Sequence, residues 1–182
     1  MHQQAVLFVA LDADFSNSLC EVQKTSQRKW TYRLSFCMIG YPMIKRAFEI
    51  VDHTADVGIV AYGADVQELF SNAALGLFTL ITEPGRIEQR LHLELEVSSE
   101  DREGLLVEWL NELIYLFDSQ HILFSRFDIE SLTQNKLRAT CYGEGFDSTK
   151  HKVKTGVKAA TYHMLRLDKN GDGYRAQIIL DI

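Results

Sequence analysis

The sequence predicts an α+β fold: one domain in which a largely antiparallel sheet carries two main helices packed on it. Three observations lead there. Two long segments repeat apolar residues at three- and four-residue steps. Several shorter ones alternate apolar and polar residues, or form brief apolar runs between turn residues. The strand-like segments of the second half follow one another as hairpins, not in strict βαβ alternation, which favours antiparallel pairing.

The elements are taken in chain order. Lys45 to Val51 is expected as a first strand, His53 to Gly58 as a polar loop, and Val57 to Tyr62 as a second strand broken by Gly63. Asp65 stands where an N-cap would, ahead of an amphipathic helix. On it Val66, Leu69, Phe70, Ala73, Ala74, Leu77 and Leu80 form one stripe, and Pro84-Gly85 ends it. Leu91, Leu93, Leu95 and Val97 alternate with His92, Glu94 and Glu96, the pattern of a strand with one wet face. Ser98 with Asp101 resembles a capping box. The helix it opens runs through residues 105–120, with Leu106, Trp109, Leu110, Leu113, Leu116 and Phe117 on a face wide enough to need a sheet beneath it. Strands are then expected at Ile122 to Leu132 and Lys136 to Tyr142, turned by Thr133-Gln134-Asn135. A last pair, Gly156 to Leu167 and Tyr174 to Ile182, follows the polar stretch 147–154.

Residues 1–42 lack this regularity. They read as an N-terminal extension, either a misassigned start or a disordered arm, with the domain proper at 43–182. A chain of 182 residues suits one domain, and 46% hydrophobic with 24% charged residues is ordinary globular composition. The formal net charge of −6 lacks the basic footprint of a protein that grips nucleic acid by its phosphates. Any RNA would be met through a partner or a small basic patch. Cys20, Cys37 and Cys141 are odd in number and fit no zinc spacing, as expected of structural thiols in a reducing cytoplasm. No apolar run reaches the roughly 18 residues of a membrane span. The stretch Ala5 to Leu11 has no preceding base and meets Asp12 and Asp14 at once, unlike a signal peptide.

Four segments carry chemistry. Residues 168–173 fit the front half of an EF-hand loop, but its twelfth position is Ile179 instead of a bidentate Glu, and strands flank it. A hairpin turn built from Asn, Gly and Asp is the better reading. Asp52 to Gly58 packs two acids, an imidazole and a hydroxyl between two strands. This is either a turn-and-cap loop or part of a site for a hard cation. At the end of the chain the alternation runs to Ile182, as if the terminus were tied down as a strand, which would fix Asp181 and the terminal carboxylate in place. If Asp56 lay beside them, each pair of charges at about 4 Å would repel by roughly 4 kcal/mol at an effective dielectric of 20. A solvated acidic strand end is the plain alternative. In Val157 to His163, strict alternation puts Lys158, Ala160 and Tyr162 on one face and Thr161 and His163 on the other. Lys158 is either a point charge for a phosphate or carboxylate, or a snorkelling surface lysine. No G-x-S-x-G elbow is present, so nucleophilic catalysis has thin support, and without G-x-x-x-x-G-K-[ST] or G-x-G-x-x-G no nucleotide site of those kinds is expected.

Together these segments resemble the archease family. The matches are His53-Thr54-Ala55-Asp56-Val57-Gly58 followed by Gly63; Glu108-Trp109-Leu110-Asn111-Glu112-Leu113 with Leu116-Phe117-Asp118; Val157-Lys158-Ala159 with Thr161-Tyr162-His163; and Leu180-Asp181-Ile182. They come in the family's order and cover residues 43–182. The resemblance implies a cytoplasmic accessory protein, not an enzyme. It would activate the GTP-dependent tRNA-splicing RNA ligase, speeding formation of the ligase–guanylate intermediate and supporting multiple turnover. It also implies a divalent ion, calcium with magnesium or manganese as alternatives. The ligands would be Asp56, Asp181 and, through its main-chain carboxylate, Ile182. Lys158 matches a lysine important for activation, and His53, in the same loop as Asp56, is counted with it as a residue for partner activation. RNA would be met only indirectly, with no nucleotide bound by this chain alone and no membrane involved. Two other classes stay open: a metal-dependent phosphodiesterase with Asp56 as ligand and His53 as general base, and a chaperone-like binding module.

Overall fold

The computed structural model describes the backbone of residues 8–9, 18–26, 29–36, 46–52, 56–171 and 173–182, and the side chains of 46–51, 56–171 and 173–182. Strands β1 (Phe8–Val9), β2 (Ser18–Ser26) and β3 (Lys29–Phe36) pair antiparallel in that order. None of the three was predicted. The expected boundary at Met43 lies outside the described residues.

From Phe48 onward the fold is the expected α+β domain. Strands β4 (Phe48–Asp52) and β5 (Val57–Gly63) lead into α1 (Val66–Ile81) and a 3-10 turn at Pro84–Arg86. Then come β6 (Leu91–Ser98), α2 (Arg102–Gln120), β7 (Ile122–Leu132), β8 (Lys136–Gly145), β9 (Ala159–Asn170) and β10 (Gly173–Asp181). They form two antiparallel sheets, β4-β5-β10-β9 and β6-β8-β7.

Helix α1 starts where its cap dictates. The Asp65 side chain accepts the Glu68 N–H at 2.8 Å, while the Glu68 carboxylate reaches back to the Ala64 N–H. Gly63 is required just before it, because a Cβ there would stand 2.4 Å from the Leu69 nitrogen. Every residue of the predicted stripe except half-buried Val66 is buried. The two helices meet where the Trp109 indole N–H donates to the Phe70 carbonyl at 3.2 Å. Around that bond Phe78, Phe124, Phe127 and Trp109 pack ring against ring at centroid distances of 5.6 to 6.2 Å.

Three expectations need correction. Ser98 does not cap α2: it pairs with Lys136 as the last residue of β6, and Asp101 caps by accepting the Gly104 N–H at 2.7 Å. Strand β4 begins at Phe48, later than expected. Strand β9 begins at Ala159, not Gly156, because the backbone ahead of it serves α1 instead of a ladder. Thr82 Oγ1 donates to the Lys152 carbonyl at 2.9 Å, and the Lys154 N–H donates to the Ile81 carbonyl at 2.8 Å. A strap of residues 146–158 thereby satisfies the Ile81 carbonyl that the end of α1 leaves unpaired, and its own Lys152 carbonyl accepts from Thr82 in return.

Candidate functional site

The C-terminal strand β10 lies inside its sheet, between β5 and β9. On one side Leu180 is in register with Val57, and on the other with Ala160. One residue further along, Asp181 and Asp56 stand at the adjoining ends of β10 and β5, and Asp181 pairs with Ala159. The Lys158 N–H donates to the Asp181 carbonyl at 2.8 Å, and Lys158 Nζ donates to the main-chain oxygen of Ile182 at 2.9 Å. Antiparallel register therefore gathers at one sheet edge four residues that the sequence singled out: Asp56, Lys158, Asp181 and Ile182. The fifth, His53, lies outside the described residues.

The oxygen-only donor set, two aspartate carboxylates and the main-chain carboxyl of Ile182, fits a hard divalent cation. Among the described residues no group of three or more His, Cys, Asp or Glu side chains could hold a metal. Asp56 and Asp181 are two such side chains and do not reach that number by themselves. Lys158 contributes one positive charge to this edge, against the two aspartates.

Helix α2 fixes the edge from outside. Asn111 accepts the Ala160 N–H through Oδ1 at 2.7 Å, and its Nδ2 donates to the Ala160 carbonyl at 3.2 Å. One side-chain amide thus takes the place of a neighbouring strand on β9, one register row from Asp181. The sequence placed Asn111 within a motif and gave it no role. An amide at the margin of an otherwise apolar helix face was the only available signal.

The sequence also passed over the strap, reading 147–154 simply as a polar patch. At its head lies a buried ionic cluster. Glu144 Oε1 accepts from Lys150 Nζ at 2.6 Å, from the Glu88 N–H at 2.6 Å and from His151 Nε2 at 3.2 Å. His151 Nδ1 accepts the Asp147 N–H at 3.0 Å, which leaves the ring proton on Nε2. Burial opposes the charge on Glu144, but its hydrogen bonds from Lys150, the Glu88 N–H and His151 outweigh it and hold the carboxyl below its ordinary range. Further along, Lys154 Nζ reaches the Thr79 carbonyl at 3.4 Å, and burial lowers that amine's pKa.

Two other sequence readings find their places. The EF-hand-like stretch is a tight hairpin: Asn170 pairs with Gly173, Gly171 adopts φ 61°, and Ile179 is buried in β10. Cys141 is fully buried in β8, and burial pushes its thiol up to about 12, as befits a structural thiol. No helix among the described residues is long and apolar enough to cross a membrane.

Comparison with known proteins gives one family. The model described as "Archease protein family (MTH1598/TM1083)" matches residues 48–182. "Protein archease" of Methanosarcina acetivorans is 37% identical over 145 residues, spanning 78% of this chain and 99% of the relative. "Protein archease" of Saccharolobus islandicus is 42% identical over 141 residues, spanning 75% and 99%. The solution structure of Methanobacterium thermoautotrophicum protein 1598 matches with a TM-score of 0.66 at 38% identity, covering 75% of this chain and 99% of that one. The crystal structure of an archease from Thermotoga maritima shares the fold, with a TM-score of 0.50 at 24% identity over 79% of this chain and 100% of that one.

Proposed function

Because the chain belongs to the archease family, we propose that it is an accessory protein that activates a GTP-dependent tRNA-splicing RNA ligase and does not itself catalyse ligation. The observation that carries the reading is the edge where β5, β9 and β10 end together. There Asp56 and Asp181 each stand next to the last ladder pair, Val57–Leu180, and Lys158 is bonded to the main chain of both Asp181 and Ile182.

Asp56, Asp181 and the main-chain carboxylate of Ile182 would hold a divalent ion, calcium by preference and magnesium or manganese as alternatives. When bound, the ion supplies positive charge that offsets three carboxylates. The chain's own groups do the rest. The β5–β10 ladder fixes the spacing of the two aspartates, and the Asn111 clamp keeps β9 in line. Lys158 presents an ammonium group at the margin of the acidic edge. An edge so ordered suits docking at the ligase's nucleotide- and metal-binding site, where it favours guanylylation of the ligase.

The test is guanylylation of the ligase by GTP, with calorimetric titration of calcium and manganese into this protein alone. Wild type is expected to bind a cation and accelerate guanylylation. Asp56→Ala and Asp181→Ala should lose both, and Lys158→Ala should retain fold but lose most of the acceleration. Phosphodiesterase activity by the protein alone, abolished in Asp56→Ala, would replace this reading with the hydrolase one.

A further inference from the structure

Strand β9 leaves its ladder at one point. Between the pairs Ile179–Thr161 and Gln177–Arg166, β10 contributes a single residue, Ile178, while β9 contributes four, residues 162–165. Ile178 is fully buried, so the surplus chain of β9 bulges away from the sheet. Met164 sits in this bulge at φ 53°, in the left-handed region that an L side chain occupies at a cost. The other positive-φ non-glycine among the described residues, His121, caps α2. Met164 lies inside a strand and ends no helix. Backbone strain of this kind collects where a site needs a particular geometry.

The bulge is a built feature. Thr161 Oγ1 donates to the Ile179 carbonyl at 3.0 Å and accepts the His163 N–H at 3.3 Å, and Gln177 Nε2 reaches the Met164 carbonyl at 3.5 Å. Its effect is to hold apolar groups in water: Tyr162 is 60% exposed and Met164 48%, with exposed His163 between them. The Tyr162 hydroxyl reaches the first turn of α2, 3.3 Å from where a Cβ on Gly104 would stand. Glu108, exposed, falls between Gly104 and Asn111 on the side of α2 that meets β9. In the other direction β9 leads back within a few residues to Lys158 and the Asp56–Asp181 edge.

We propose that this bulge is a docking anchor for a protein partner. The partner offers an apolar socket for Tyr162 and Met164, ringed by basic residues that meet Glu108, Asp181 and Asp56. The proposal rests on the activator reading, in which that partner is the RNA ligase. An enzyme that binds RNA ends and GTP must line its site with positive charge, so an acidic edge with an apolar anchor beside it is complementary to the rim of such a site. Tyrosine is an efficient interface anchor, and methionine adapts to an irregular socket.

The test measures binding of this protein to the purified ligase by calorimetry, alongside stimulation of guanylylation. The variants are Tyr162→Ser, Met164→Gly and, as a control in the strap, Val153→Ser. Tyr162→Ser and Met164→Gly should weaken ligase binding by roughly tenfold or more, with cation affinity unchanged and full stimulation restored at saturating concentration. Met164→Gly should also melt no lower than wild type, since glycine accepts this backbone without strain. Val153→Ser should bind as wild type does. Folded Tyr162→Ser and Met164→Gly proteins that bind normally would overturn the anchor, as would a wild type that does not bind. A wild type that binds without stimulating would leave the anchor to be decided by the variants and would overturn the activator reading alone.

Discussion

Asn111 shows how much one residue can carry. Both of its amide groups are spent on Ala160, which is buried and has Leu180 as its only other strand neighbour among the described residues. Removing a partner from a buried peptide group costs more than the hydrogen bond contributed. Asn111→Ala should therefore destabilise the fold by about 1–3 kcal/mol in urea unfolding. Asn111→Asp should not restore it, because a carboxylate accepts the Ala160 N–H but repels the Ala160 carbonyl. A neutral Asn111→Ala result would mean that water replaces the clamp at no cost. Legibility at this scale was uneven. Asp65 was readable as a cap because the apolar stripe begins right after it. Asp101 was misjudged as the partner of Ser98, because hydrogen-bond chemistry alone does not reveal that Ser98 is held in β6. That Asp56 and Asp181 fall at the same end of the sheet was unreadable without register, since the two are far apart in sequence and only the β5–β10 ladder brings their neighbours Val57 and Leu180 together.

Among the elements, the start of α1 was predicted to the residue and that of β9 was not. The difference is physical. The start of α1 is set locally, by the Asp65 cap. The start of β9 is set by the strap, where Gly156 and Val157 look strand-like although the chain there is bound to the end of α1. The strap is in turn locked by the Glu144 cluster, which gives it a pH dependence. The Glu144 carboxyl is held below its ordinary 4.5 despite burial. A carboxyl depressed by folding contributes stability above its unfolded pKa, and that contribution is lost as pH falls through the folded value. Glu144→Gln should therefore melt lower than wild type at neutral pH, and the difference should shrink as the pH is lowered through and below the ordinary carboxyl range. A gap between the two melting temperatures that stays constant across that range would show that the Glu144 charge does not carry the lock. The EF-hand-like hairpin was legible for the opposite reason: a missing twelfth-position carboxylate and flanking alternation are both visible in the sequence.

At the scale of the domain from Phe48 onward, two antiparallel sheets hold two helices, and the last strand lies inside one of the sheets. Because β10 lies between β5 and β9, the end of the chain emerges at the same edge as Asp56 and Lys158. A short extension after Ile182 should leave the fold intact while reducing cation affinity and ligase activation together. A C-terminally tagged protein as active as the untagged one would argue against a terminal carboxylate in the site. The class of fold was legible because helix and strand periods differ. The way the last strand inserts between two earlier ones was not, since pairing of distant strands leaves no periodic trace.

The most direct measurement is multiple-turnover RNA ligation by a limiting amount of the cognate GTP-dependent ligase, with wild type, with Asp56→Ala and without this protein. The account predicts that wild type carries the ligase through repeated turnovers, and that folded Asp56→Ala leaves it at the level of ligase alone. Equal ligation in all three reactions, with the protein folded and cation present, would contradict the account.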